Sequence, residues 1–120
     1  MSAARAKSNA LRVMWQLEAL RHRLGDHPLT VVNGFRSYAC NRRVGGARDS
    51  QHLYGNAADL VSRYASLCTI ARQARYAGFS GIFGPGYPGH NDHVHVDRRV
   101  VNNDDRTPNG FSWSARTCGI

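Results

Sequence analysis

Two stretches of this chain concentrate side chains that bind metal ions or carry protons. One is residues 90–95, which hold three of the six histidines. Because alternate residues of a strand share a face, His93 and His95 can point into one site. The other stretch joins His52 and Asp59 across a turn. Two histidines and one aspartate from these stretches would supply the three protein ligands of a catalytic zinc, which keeps a fourth position open.

The sequence excludes two other common kinds of site. No His-Glu-x-x-His is present, so a thermolysin-type helical zinc motif is excluded. Gly45-Gly46 and Gly84-x-Gly86 lack the strand, helix and lysine of a phosphate-binding loop, and they indicate turns that shape a cleft. From these residues alone, a zinc hydrolase and an adventitious cluster of histidines remain open as interpretations.

Two helices are predicted from the apolar periodicity. Steps of three and four predict an amphipathic helix over residues 8–24, with Met14 and Trp15 in the core. Gly25 is placed for a left-handed C-cap. A second helix is predicted over residues 64–75.

The strands are predicted from short apolar and alternating runs. A long glycine-rich connection over residues 35–56 and a polar surface loop over residues 97–109 separate some of them. We expect an α+β domain in which two main helices pack on a small, mostly antiparallel sheet. The predicted strands are residues 29–32, 57–61, 81–83 and 93–97.

Length and charge narrow the class of protein. The 120 residues fit a single domain over residues 1–120. The chain carries a net charge of +8, which favours an anionic partner. The basic residues are scattered without interleaved aromatic residues, which speaks against nucleic acid. No apolar run approaches the ~20 residues of a membrane span, and the N-terminus lacks the apolar core of a signal peptide.

Four motifs of the sequence combine the candidate ligands with flanking glycines. They are Gly34-Phe35-Arg36-Ser37, Val44-Gly45-Gly46-Ala47, Ser50-x-His52-x-x-Gly55-x-Ala57-Ala58-Asp59 and Gly84-Pro85-Gly86-Tyr87-Pro88-Gly89-His90-Asn91-Asp92-His93-x-His95. Together they resemble the motifs of the zinc D-alanyl-D-alanine carboxypeptidases of bacterial cell walls, above all their secreted actinomycete members. The resemblance covers nearly the whole chain and implies the hedgehog/DD-peptidase fold. It also implies a catalytic domain without the wall-binding domain and export signal common in such relatives.

The resemblance implies a role for each residue of the site. It assigns His52, Asp59 and His95 as the ligands of one zinc ion per chain. It assigns Asp92, Arg36, His90 and His93 to the catalytic cleft, with His93 beside the metal but not a ligand.

The implied chemistry is peptide hydrolysis. Zinc lowers the pKa of a coordinated water to near 7. Asp92 would accept a proton from this water as general base and return it to the leaving amine as general acid. Arg36 and His90 would stabilise the negative charge that develops, although Arg36 would equally suit the terminal carboxylate of the substrate.

The resulting hypothesis is a D,D-carboxypeptidase that cleaves the terminal D-Ala-D-Ala bond of peptidoglycan stem peptides. Two alternatives are an endopeptidase that cuts wall cross-bridges and a catalytically silent zinc-containing binding domain of the hedgehog type. The expected partners are stem peptides and the anionic cell wall, not nucleic acid or a membrane span. We expect a secreted monomer.

The resemblance also implies a cysteine pairing. It joins Cys68 to Cys118 and leaves Cys40 without a partner in this chain. Such a disulfide closes a loop of about 50 residues and implies an oxidising compartment.

Overall fold

The computed structural model describes residues 3–34, 52, 55–99 and 111–120. Within these ranges the chain forms two α-helices, five strands and a terminal 3-10 turn, Arg116–Cys118. Neither helix is long and apolar enough to cross a bilayer. In chain order the elements are α1 (Ala3–Arg23), β1 (Thr30–Asn33), β2 (Ala57–Val61), α2 (Leu67–Tyr76), β3 (Gly81–Phe83), β4 (Val94–Asp97) and β5 (Ser112–Ser114).

The strands form one sheet in the order β1-β2-β4-β3-β5. The pairings β1–β2, β2–β4 and β3–β4 are antiparallel, whereas β5 runs parallel to β3 at one edge. The α+β class is therefore confirmed, but the expected mostly antiparallel sheet is corrected to a mixed sheet. The sequence pattern missed β5 because a three-residue edge strand with one apolar residue carries no readable alternation.

Helix α1 begins earlier than predicted and buries a narrower face. Ala6, Val13 and Leu20 are buried, and their spacing of seven residues keeps them within one stripe along the helix. The prediction that Met14 and Trp15 lie in the core is wrong, since they are 59% and 79% exposed. Each helical residue turns by about 100°, so Trp15 lies nearly opposite Val13.

The apolar core lies between the sheet and the two helices. Helix α2 begins at its N-cap Ser66, whose side chain accepts a hydrogen bond from the Thr69 backbone N–H. The core unites residues of both helices with the inner strands β2, β3 and β4. Its fully buried side chains include Leu20, Leu60, Ile70, Phe79, Ile82, Val94 and Val96. The inner strands are thereby held rigidly from one side.

The end of the chain is fastened to α2 and to the loop after β3. Cys68 and Cys118 form a disulfide, which confirms the implied pairing. The backbone N–H of Thr117 donates to the Pro85 carbonyl at 3.1 Å. Gly86 has φ +100°, and a Cβ there would press on the Thr117 backbone. The terminal turn therefore supports the loop of residues 84–90 from behind.

Removal of the disulfide should destabilise the chain. Closing a loop of this length is worth roughly 4 kcal/mol from chain entropy. We expect the Cys68→Ala/Cys118→Ala variant to lose a free energy of unfolding of this order in denaturant titration.

Cys40 lies outside the described residues, and we expect one free thiol in the denatured, unreduced protein. A count of three would contradict the pairing.

Candidate metal centre

The pairing of β2 with β4 brings two of the predicted ligands together. In this antiparallel register Asp59 lies directly opposite His95. Directly opposed residues of paired strands have neighbouring side chains. His52 reaches the same point from the segment before β2, and all three residues are buried. The three side chains that the motifs singled out therefore converge.

The donor atoms of these residues form a nearly equilateral triangle. His52 Nε2, Asp59 Oδ1 and His95 Nδ1 lie 3.2 Å from one another along each side. Ligand atoms bound to zinc at 2.0–2.1 Å with tetrahedral angles are about 3.3 Å apart. The triangle thus matches three corners of a zinc tetrahedron, and the group is positioned to hold one metal ion.

Hydrogen bonds on the far side of each imidazole fix which nitrogen faces the centre. His52 Nδ1 lies 2.7 Å from the Gly34 carbonyl, which can only accept, so the ring donates from that nitrogen. His95 Nε2 donates to Asp97 Oδ2 at 2.6 Å. In their neutral forms both rings therefore aim a lone pair at the Asp59 oxygen. Three converging acceptors repel one another unless a cation or a proton lies between them.

Titration within the triangle follows from these contacts. Burial raises the pKa of Asp59, but its close contacts with the His52 and His95 rings outweigh burial and hold the pKa far below its usual value. Burial lowers the pKa of His95, but the hydrogen bonds to Asp59 and Asp97 outweigh it and raise the pKa. The centre therefore holds an anion that attracts a cation, and a metal ion must displace a proton from His95.

Asp92 and His93 lie at the rim of the centre. His93 Nδ1 donates to Asp92 Oδ1 at 2.7 Å, and His93 Nε2 is 3.9 Å from Asp59 Oδ1. The Asp92 side chain is 90% exposed. The hydrogen bond from His93 lowers the pKa of Asp92, which keeps the carboxylate ionised. His93 thus lies between the exposed carboxylate and the buried ligands.

His90 forms part of an aromatic wall beside the centre. Its ring lies 4.7 Å from that of His93 and 5.1 Å from that of Tyr87, between ring centroids. Burial lowers the pKa of His90, which favours the neutral ring at pH 7. His90 Nδ1 donates to the Pro88 carbonyl at 3.0 Å, which leaves Nε2 as an acceptor in the neutral form.

The structure does not describe every residue that the sequence analysis assigned to the site, and it adds one that the sequence analysis did not assign. Arg36 and the loop after residue 99 lie outside the described residues, so the predicted role of Arg36 stays a prediction. Asp97 contacts His95, one of the three ligand candidates, directly, yet the sequence analysis did not single it out. An aspartate two residues after a ligand on the same strand was the signal available for it.

Comparison with known proteins places the chain in a family. The family described as Peptidase M15 matches residues 2–97, which include the three ligand candidates. The chain belongs to the Peptidase M15 family. A relative named "Zinc D-Ala-D-Ala carboxypeptidase", from Streptomyces albus G, is 52% identical over 120 residues. This M15 chain is aligned over its whole length but spans only 44% of that relative. The resemblance predicted from the motifs is confirmed.

Zinc content should depend on the donor triangle of this M15 chain. We expect one zinc ion per chain by elemental analysis after dialysis, and near none for His52→Ala, because two remaining donors do not close the site. His27→Ala is the matched control, since His27 stacks on Tyr64 away from the triangle. Equal zinc content in the wild-type and His52→Ala proteins would contradict the assignment.

Proposed function

We propose that this chain is a zinc-dependent D,D-carboxypeptidase domain that hydrolyses the D-Ala-D-Ala bond at the end of peptidoglycan stem peptides. The observation that carries the proposal is the 3.2 Å triangle of His52, Asp59 and His95 in an M15 chain. The name of the Streptomyces albus G relative supports the substrate class. A triangle of three protein donors also leaves a fourth coordination position for catalysis, unlike a closed structural site.

His52, Asp59 and His95 would hold the zinc ion in this proposal. When bound, zinc acts as a Lewis acid and makes water nucleophilic at neutral pH. The protein groups then have to position the scissile bond, take up a proton and return it. Their positions around the triangle support a division of these tasks.

Asp92 is proposed as the general base and acid. Its low pKa keeps it ionised at neutral pH, so it can accept a proton from the attacking water. It would return that proton to the amino group of the departing D-alanine. The hydrogen bond to His93 holds the carboxylate at the rim, where a substrate carbonyl can approach from solvent.

We propose that His90 and Arg36 contact the substrate and that His93 positions Asp92. Neutral His90 presents Nε2 as an acceptor, which suits an amide N–H, and only the doubly protonated ring would donate to an oxyanion. His93 would orient Asp92 through their shared hydrogen bond. Arg36 would bind the substrate carboxylate or the oxyanion through its fork of donors.

Activity should depend on the metal and on the Asp92 carboxylate. We expect release of free D-alanine from a stem-peptide analogue, its loss with a chelator and its recovery with zinc.

The Asp92→Asn variant should retain zinc but lose at least ~100-fold in kcat, because the amide cannot accept the proton. Asp26→Asn is the control, because that carboxylate is exposed and paired with His22, and both residues are far from Asp92 in the sequence.

The products distinguish the alternatives to this function. Free D-alanine supports the carboxypeptidase. New internal amines without free D-alanine would instead indicate a cross-bridge endopeptidase. A zinc-loaded chain without either product would indicate a binding domain.

We also propose that residues 1–120 act as one domain, as a monomer, outside the cell. One chain supplies all three donors, so the site requires no second copy. The Cys68–Cys118 disulfide supports an oxidising compartment, because such bonds are rare in reducing cytosol.

The face formed by α2, the terminal turn and Arg23 at the end of α1 is proposed to contact the anionic wall. The sequence has no acidic residue between Asp59 and Asp92 or after Asp105. The guanidinium groups of Arg23 and Arg75 lie 4.9 and 5.4 Å from the centroid of the exposed Tyr76 ring. Arg72 donates a hydrogen bond from Nε to the Cys118 carbonyl, so its positive charge lies between α2 and the terminal turn. A polyanion would meet no carboxylate from α2 or the terminal turn.

Binding to wall material should fall with salt and with loss of these charges. We expect the Arg72→Gln/Arg75→Gln variant to bind teichoic-acid-bearing wall fragments more weakly than the wild-type protein in co-sedimentation. Its binding should also fall less steeply as salt is added. Lys7→Gln/Arg12→Gln removes the same charge from α1 and serves as control. Equal binding by the two double variants would show that only net charge matters.

A further inference from the structure

The carboxylate of Asp97 is fully buried at the end of β4. It accepts a hydrogen bond from His95 Nε2 at 2.6 Å, and from Arg99 Nε and Nη2 at 2.8 and 2.6 Å. The backbone N–H of Arg99 also donates to it at 3.1 Å. Burial of a charge is costly unless it is paired and hydrogen-bonded, and this carboxylate meets that condition.

The sheet provides a space that fits this carboxylate. Asp97 pairs with Gly81 on one side and with Ala57 on the other, both small residues. A Cβ at Gly81 would overlap the Asp97 carboxyl group. His95 and Asp97 are two residues apart on one strand and so share a face. The missing side chain at Gly81 thus allows the carboxylate to lie against the imidazole.

Arg99 contacts the Asp97 carboxylate from the side opposite His95. Its guanidinium carbon lies 4.9 Å from the centroid of the Phe83 ring, and that ring lies 5.6 Å from the His95 ring. The two guanidinium nitrogens bind the two carboxylate oxygens in a bidentate manner. Arg99 and Phe83 therefore restrict both Asp97 and His95 to one orientation.

We propose that Asp97 and Arg99 form a positioning pair that holds His95 as a metal ligand through Nδ1. The hydrogen bond at Nε2 fixes the proton on that nitrogen, directs the Nδ1 lone pair to the triangle and increases its donor strength. Arg99 keeps the carboxylate in place and partly neutralises it. The contacts of both residues named here lead to His95, so the inference concerns the metal centre and does not depend on which peptide is cleaved.

Metal affinity tests the pair separately from peptidase activity. We expect Asp97→Asn to raise the zinc Kd 10- to 100-fold in competition with a chromophoric chelator, because a neutral amide is a weaker acceptor. The visible d–d bands of the Co²⁺-loaded protein should shift, since His95 then donates differently. Asp26→Asn is the matched control, because Asp26 also accepts from a histidine, His22, at an exposed place. It should leave Kd and spectrum unchanged.

A second variant separates positioning from a merely structural role. Arg99→Gln should raise the zinc Kd, and Arg99→Lys should restore part of it, while unfolding of the metal-free proteins is followed in denaturant. Loss of unfolding free energy with an unchanged zinc Kd and Co²⁺ spectrum in Asp97→Asn and Arg99→Gln would overturn the proposal. If Asp97→Asn does not fold, the two Arg99 variants decide alone. Stem-peptide hydrolysis is not used, so failure of the proposed function would leave this result intact.

Discussion

The site depends on the pairing of β2 with β4. The register that sets Asp59 opposite His95 is fixed because a slip by one residue would turn Leu60 and Val96 from the core toward the opposite face. The hydrophobic effect on one face of these strands therefore determines the positions of ligands on the other. The same register sets Gly81 beside Asp97, so the centre and its hydrogen-bonded surroundings share one constraint.

Much of the ligand set could be predicted from the sequence because it lies in short motifs. Spacing indicated only that two histidines and one aspartate of residues 52–59 and 90–95 could share a site, and the resemblance of the motifs assigned His52, Asp59 and His95 as the ligands. Strands β2 and β3 were predicted with their observed bounds from short apolar runs. Asp97 had one local signal, its position two residues after His95 on the same strand. The space left by Gly81 on another strand, and the contact of Arg99 with Asp97 in that space, have no local pattern in the sequence.

The error on α1 has a related origin. Periodicity shows that the helix has an apolar side, but several registers of the pattern fit when apolar residues are as dense as in residues 10–17. The buried stripe is set by what the helix meets. The Ala6 carbonyl lies so close to Gly55 that a Cβ would not fit there. This approach rotates Trp15 toward solvent, a result that only the packed structure contains.

The cross-link between Cys68 and Cys118 has a mechanical consequence for the cleft. It fixes the terminal turn, which in turn holds the Pro85 carbonyl, and from there the chain continues through two tight turns to His90. The rigidity of the loop of residues 84–90 thus comes partly from a covalent bond outside the candidate metal centre. Without the disulfide, the terminal turn would lose its covalent link to α2, and the loop of residues 84–90 would keep its hydrogen bond to that turn. The cross-link can therefore influence the geometry around the candidate metal centre although it lies outside the donor triangle.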